Sequence, residues 1–153
     1  GTRMNLSRNF TLGEMIQSQT AIQKKIDNNP GGDQILNLID LCENILQPLR
    51  DALGTIHISS GFRSQKLNVA IGGSTSSQHC ALKGAAADID MGKKNREIFD
   101  WIKVNTDFDQ MIWEFGTDEC PSWVHISYRE GKNRNQILKA IKEKGKTKYI
   151  PFH

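Results

Sequence analysis

The 153-residue sequence predicts an α+β fold, a small and mainly antiparallel sheet of about four strands flanked by helices. Three observations lead there. Apolar residues recur at three- and four-residue steps from Asp33 to Leu53, as on a helix with one buried stripe. Four short segments instead alternate with period two, as half-buried strands do. Their connections have hairpin or helix length, and there is no internal repeat or low-complexity tract.

In chain order, Gly1 to Arg3 ahead of Met4 look like a remnant of the expression vector, leaving residues 4–153 as one domain. Thr11-Leu12-Gly13-Glu14 has the Thr-x-x-Glu form of a capping box and starts a short helix near Leu12. Asn28-Asn29-Pro30-Gly31-Gly32 is a breaker cluster and predicts a surface loop. The long helix follows, with Ile35, Leu38, Ile39, Cys42, Ile45, Leu46, Leu49 and Leu53 on its stripe and Pro48 set to kink its last turns. It is scaffold.

Thr55 to Ser59 alternates, with Ile56 and Ile58 inward, and delivers Gly61-Phe62-Arg63-Ser64 at its end. Ser64 caps a helix through Leu67, Asn68 and Ile71 that Gly72 and Gly73 stop. The polar loop from Ser74 ends on His79. Ala86 to Met91 puts Ala87, Ile89 and Met91 on one face and Asp88 on the other. A helix spaced through Ile98, Phe99 and Ile102 leads to a strand from Asp109 to Phe115, where Met111, Trp113 and Phe115 share a face opposite Ile112 and Glu114. The fourth strand, Trp123 to Tyr128, turns His125 away from Val124 and Ile126. A last amphipathic segment closes the fold through Ile137, Leu138 and Ile141, and the tail adds a short edge strand.

Composition excludes several classes. Twenty Lys and Arg against 17 Asp and Glu give only +3, too little to argue for nucleic acid, and much of the excess lies between Lys132 and Lys148. Three cysteines without C-x-x-C spacing indicate neither a disulfide framework nor a thiolate zinc finger. No apolar run of membrane length and no secretion signal are present, so the expected partners include neither membrane nor nucleic acid, and the chain is expected to be a monomer made in the cytoplasm.

Three central strands each turn one ionisable residue away from the apolar face, giving Asp88, Glu114 and His125. With His79, these suit a catalytic zinc centre: two neutral imidazoles and one carboxylate leave the ion a net positive charge and a fourth position open to water. A peptidase also needs a general base, for which Glu114 is the first choice and Asp118 or Glu119 the alternatives. Arg63 offers a bidentate fork for a substrate carboxylate. Each residue also has a plainer reading: a hydrogen-bonded strand histidine, a turn aspartate, a solvated glutamate, half of a surface ion pair. His57 keeps that plainer reading, and terminal His153 carries no assignment.

The segments SGFRSQKLNVAIGG, SSQHCALKGAAADID and PSWVHIS together resemble the zinc D-alanyl-D-alanine carboxypeptidase family, which includes phage endolysins and shares its fold with lysostaphin-type enzymes and the hedgehog domain. The resemblance runs from about Phe10 to Tyr128 and takes in the phage-type opening NFTLGEMIQSQTA. It implies zinc ligands at His79, Asp88 and His125, from the Ser-x-His, Gly-x-Ala-x-Asp and Trp-Val-His motifs. It further implies a substrate-carboxylate role for Arg63, a site-lining loop at Ser77 and Gln78, and structural roles for Asn68 and the Gly72-Gly73 pair. Two departures stand out. Four residues, Cys80 to Lys83, separate His79 from Gly84 where two are common, and Ser122 occupies the place where many relatives carry the base.

The expected function is therefore zinc-dependent hydrolysis of peptide bonds in bacterial peptidoglycan stem peptides, as a carboxypeptidase or an endopeptidase of phage or prophage origin that reaches the wall through a holin-type hole. The alternative is a zinc-containing binding module of the same fold that performs no hydrolysis, which the serine at 122 would suit.

Overall fold

The computed structural model describes residues 3–74 and 76–152. Gly1 and Thr2 of the vector-like start, Thr75 of the polar loop and terminal His153 lie outside them. The chain begins with a two-stranded ribbon, β1 (Asn5–Ser7) and β2 (Phe10–Thr11), followed by α1 (Leu12–Ile16) and α2 (Gln19–Gln23). As expected, the Thr11 hydroxyl accepts the Glu14 amide at 3.2 Å and starts α1.

The long helical stretch is three pieces: α3 (Gly32–Leu41), one π-type segment (Cys42–Leu46) and α4 (Gln47–Leu53). Pro48 is the cause. It has no amide to give the carbonyl one turn back, and the widened turn just before it lets the Gln47 amide reach the Cys42 carbonyl instead. The apolar stripe survives, because Leu38, Leu41, Cys42, Ile45, Leu46 and Leu49 all remain fully buried.

The remaining elements are β3 (Ile58–Ser60), α5 (Gln65–Ala70), a 3-10 turn (Gln78–Cys80), β4 (Ala85–Ile89), α6 (Asn95–Asn105), β5 (Gln110–Glu114), β6 (Trp123–Tyr128), β7 (Gln136–Glu143) and β8 (Lys146–Pro151). The α+β class holds, but the sheet has six strands rather than about four, in the order β3-β4-β6-β5-β7-β8. It is mixed: β5 and β7 run parallel, and every other neighbouring pair is antiparallel. The closing segment is strand β7, and the tail hairpins back as β8. The Asn135 amide bonds the Phe108 carbonyl at 2.8 Å and the Gln136 amide bonds that of Asp109 at 3.0 Å, which sets the start of β7 beside the start of β5.

One face of the sheet carries the core. Ala85, Ala87 and Ile89 of β4, Val124 and Ile126 of β6, and Met111 and Trp113 of β5 pack with the α3–α4 stripe and with Ile98, Phe99 and Ile102 of α6. α3 crosses β4 closely, and the small Ala85 and Ala87 suit that approach. The opposite face, uncovered by these helices, carries the ionisable residues.

Candidate active site

Register alone brings two of the predicted residues together. Asp88 on β4 stands directly opposite His125 on β6, and such cross-strand partners share a face. The His125 Nδ1 lies 3.0 Å from Asp88 Oδ1. The third residue, His79, arrives on the 3-10 turn: its amide donates to Ser77 Oγ at 3.2 Å, and its carbonyl accepts the Arg63 amide at 2.9 Å. Its Nε2 lies 3.4 Å from the same Asp88 oxygen.

The His79 ring is aimed from behind. Its Nδ1 lies 2.7 Å from the Gly61 carbonyl, which can only accept, so Nδ1 carries the proton and Nε2 keeps a free lone pair toward Asp88 and His125. Gly61 is required here, since a Cβ would sit 2.4 Å from the Met15 carbonyl oxygen. Donor atoms of His79, Asp88 and His125 all lie within 4.8 Å of one another, so these three residues could hold one metal ion. The donor set suits zinc: two imidazoles, one carboxylate and an open side toward the cleft. Burial pushes the Asp88 carboxyl up, but the His79 and His125 imidazoles beside it outweigh that and hold the group well below the usual carboxylate range. Burial lowers the His79 pKa against the pull of Asp88, which favours the neutral imidazole a metal ligand needs.

Glu114 projects from β5 on the same face, one strand from His125 and 6 % exposed. Burial pushes its carboxyl up to about 7; Asp88 adds to that and His125 opposes it. The alternative bases point elsewhere. Asp118 is 93 % exposed and paired with Lys139 at 2.9 Å, and Glu119 is 87 % exposed beside Arg96. Ser122 serves the backbone, donating its amide to the Glu114 carbonyl at 2.9 Å.

His79, Asp88, His125 and Glu114 line one open cleft of about 760 Å³, together with Arg63, Ser77 and Gln78. The Arg63 Nε is buried without a hydrogen-bond partner, and burial lowers its guanidinium pKa against the pull of Asp88. The Ser77 hydroxyl caps the His79 turn, while the Gln78 amide nitrogen donates to the Lys83 carbonyl at 2.9 Å and to Asp109 Oδ2 at 2.6 Å. Phe115 departs from expectation: at φ 55° it leaves the Met111–Trp113 face and lines the cleft against Trp123.

A family model described as Peptidase M15 matches residues 8–127, well over half of the chain. The chain belongs to the peptidase M15 family. It is thus a family member of the zinc D-alanyl-D-alanine carboxypeptidase kind, as its motifs suggested. No curated protein matches it. Among the described residues, no helix of this M15 protein is long and apolar enough to cross a membrane.

Several supports of the M15 site were not evident from sequence. The longer loop between His79 and Gly84 is clamped by α3, where the Gln34 amide donates to the Cys80 carbonyl at 2.9 Å and that of Asn37 to the Ala81 carbonyl at 2.8 Å. Asn28, in the expected breaker loop, is buried and donates to the carbonyls of Ile16 and Phe62 while accepting the Ser64 amide at 2.7 Å, so it holds the Arg63 loop. β7 and β8 form a whole wall of the cleft through Leu138, Lys142, Thr147 and Tyr149.

Proposed function

We propose that this chain is a zinc-dependent peptidase that hydrolyses peptide bonds of bacterial peptidoglycan, acting on stem peptides as a carboxypeptidase or endopeptidase. The observation that carries the proposal is the meeting, in one cleft of an M15 family member, of His79, Asp88 and His125 with Glu114 on the neighbouring strand. A zinc ion held by the first three would supply Lewis acidity, polarising the scissile carbonyl and acidifying water. Glu114 takes the proton of the attacking water and hands it to the leaving amine as the C–N bond breaks. A carboxyl poised near neutrality can do both. Arg63 clamps a substrate carboxylate with its planar fork, its buried Nε having no partner within the protein. Ser77 and Gln78 line the cleft and position the substrate beside the His79 turn.

Residues 4–153 act as one catalytic unit in this reading, working as a monomer. The phage-type opening of the chain supports a lysis enzyme of phage or prophage that acts on the wall after release from the cytoplasm. The test is mass analysis of what purified, zinc-loaded protein releases from bacterial peptidoglycan. New amine and carboxyl termini at one stem-peptide bond are expected. Full zinc occupancy with no release would instead identify a non-hydrolytic binding module.

A further inference from the structure

The wall of the cleft built by β7 and β8 lies beyond residue 127, where the family match ends. Cross-strand register extends the row of Trp123 and Glu114 through Ala140 to Tyr149, and the next pair outward on that face is Lys142 with Thr147. Ala140, small and fully buried, sits between Glu114 and Tyr149 in that row.

Lys142 is held in place. Its ammonium donates to Thr147 Oγ1 at 3.2 Å and lies 5.4 Å from the centroid of the Phe115 ring, the ring turned to this side of the sheet. Among the described residues no carboxylate pairs with it. Nearby acids are engaged elsewhere, Glu143 by Lys148 and Asp118 by Lys139. Of the other cations lining the cleft, Arg134 is neutralised by Asp109 at 2.8 Å, while Arg63 has no carboxylate partner of its own. Against these, the described lining residues offer only two carboxylates, Asp88 and Glu114.

Topology sets the two unpaired cations at opposite ends. Arg63 follows β3 and Lys142 belongs to β7, four strand positions across, with Asp88 and His125 between them. At roughly 4.8 Å per strand that is about 19 Å across the sheet, and Lys142 lies four residues past Leu138, the residue level with His125, which adds about 13 Å along β7. Two long side chains reaching inward leave a gap that at least about three extended residues would span.

We propose that Lys142, with Thr147 and Tyr149, forms an anion subsite that binds a second substrate carboxylate, across the cleaved bond from the one at Arg63. The substrate class is then a short acidic peptide, in the cell wall a stem peptide whose glutamate carboxylate is free rather than amidated. This rests on the peptidase reading and on the role of Arg63 within it.

The test uses two synthetic stem peptides that differ only in whether the glutamate carboxylate is free or amidated. On zinc-loaded protein the free acid should have a kcat/KM about five- to tenfold higher, mostly through KM, as a partly exposed charge-assisted hydrogen bond allows. The preference should fall with added salt and approach one in Lys142→Gln. Calorimetry of both peptides on zinc-loaded Glu114→Gln reads the subsite without turnover, and the same five- to tenfold preference should vanish when Lys142→Gln is added. Equal affinities, a preference that survives Lys142→Gln, or no binding of either peptide would overturn the subsite. Preferential binding without cleavage by the wild type would overturn the peptidase reading and leave the subsite standing.

Discussion

Replacing Glu114 by glutamine separates the proposed base from the fold that holds it. The folded protein keeps this carboxyl protonated up to about pH 7, against a reference of 4.5, because burial penalises its charge. A folded-state pKa above the unfolded one means that stability is complete below about 4.5 and is lost as pH rises through 7. For that interval the loss is up to about 3 kcal/mol in metal-free protein. Glutamine has the same shape and cannot ionise. Metal-free Glu114→Gln should therefore melt with the wild type at pH 4.5 and above it at pH 8, by up to roughly 6–12 °C for a chain of this size. On peptidoglycan the zinc-loaded variant should lose on the order of a hundredfold or more in rate, the worth of a positioned general base. Melting curves from pH 4.5 to 8 and product release at pH 8 measure the two effects. A melting difference flat across pH would refute the buried, proton-retaining carboxyl, and full activity would remove Glu114 from the chemistry.

Three further outcomes are expected. Elemental analysis should find about one zinc per wild-type chain and close to none in His79→Ala, since two remaining donors make a poor site. Arg63→Lys should cost tenfold or more in kcat/KM on peptides ending in a free carboxylate and much less on peptides amidated there, because an ammonium cannot form paired parallel hydrogen bonds. Gly61→Ala should lower the melting temperature and weaken zinc binding together: its Cβ meets the Met15 carbonyl oxygen at 2.4 Å, and relieving the clash moves the carbonyl that orients His79.

Three of the four alternating segments were legible to within two residues, whereas Thr55 to Ser59 forms a strand only from Ile58, as β3. Trp123 to Tyr128 is β6 as expected, and the same parity placed Asp88, Glu114 and His125 on one face. What was not legible depends on partners distant in the chain. Ile137, Leu138 and Ile141 are spaced for a helix face, yet that segment is β7, because β5 and β8 supply the hydrogen bonds a strand needs. Lys142 and Tyr149 could join the site only once that register existed. Asn28 lies in a run that looks like a turn by composition, and its bonds to Phe62 and Ser64 on either side of Arg63 and to Ile16 at the end of α1 have no local signature. Phe115 broke the expected alternation because its backbone turns left-handed just past the end of β5.

The buried Asp109 carboxylate bears on how such enzymes can diverge. It accepts Gln78, the neighbour of His79, and both the backbone and the guanidinium of Arg134, which leads into β7. One side chain thus rivets the loop bearing a candidate ligand to a hairpin that lies outside the family match. A chimera that trades this hairpin for a relative's, to change which peptides are accepted, must bring an arginine to position 134. Without it, the graft would strand an anion beneath the ligand loop, and a change meant for specificity would surface as lost metal affinity.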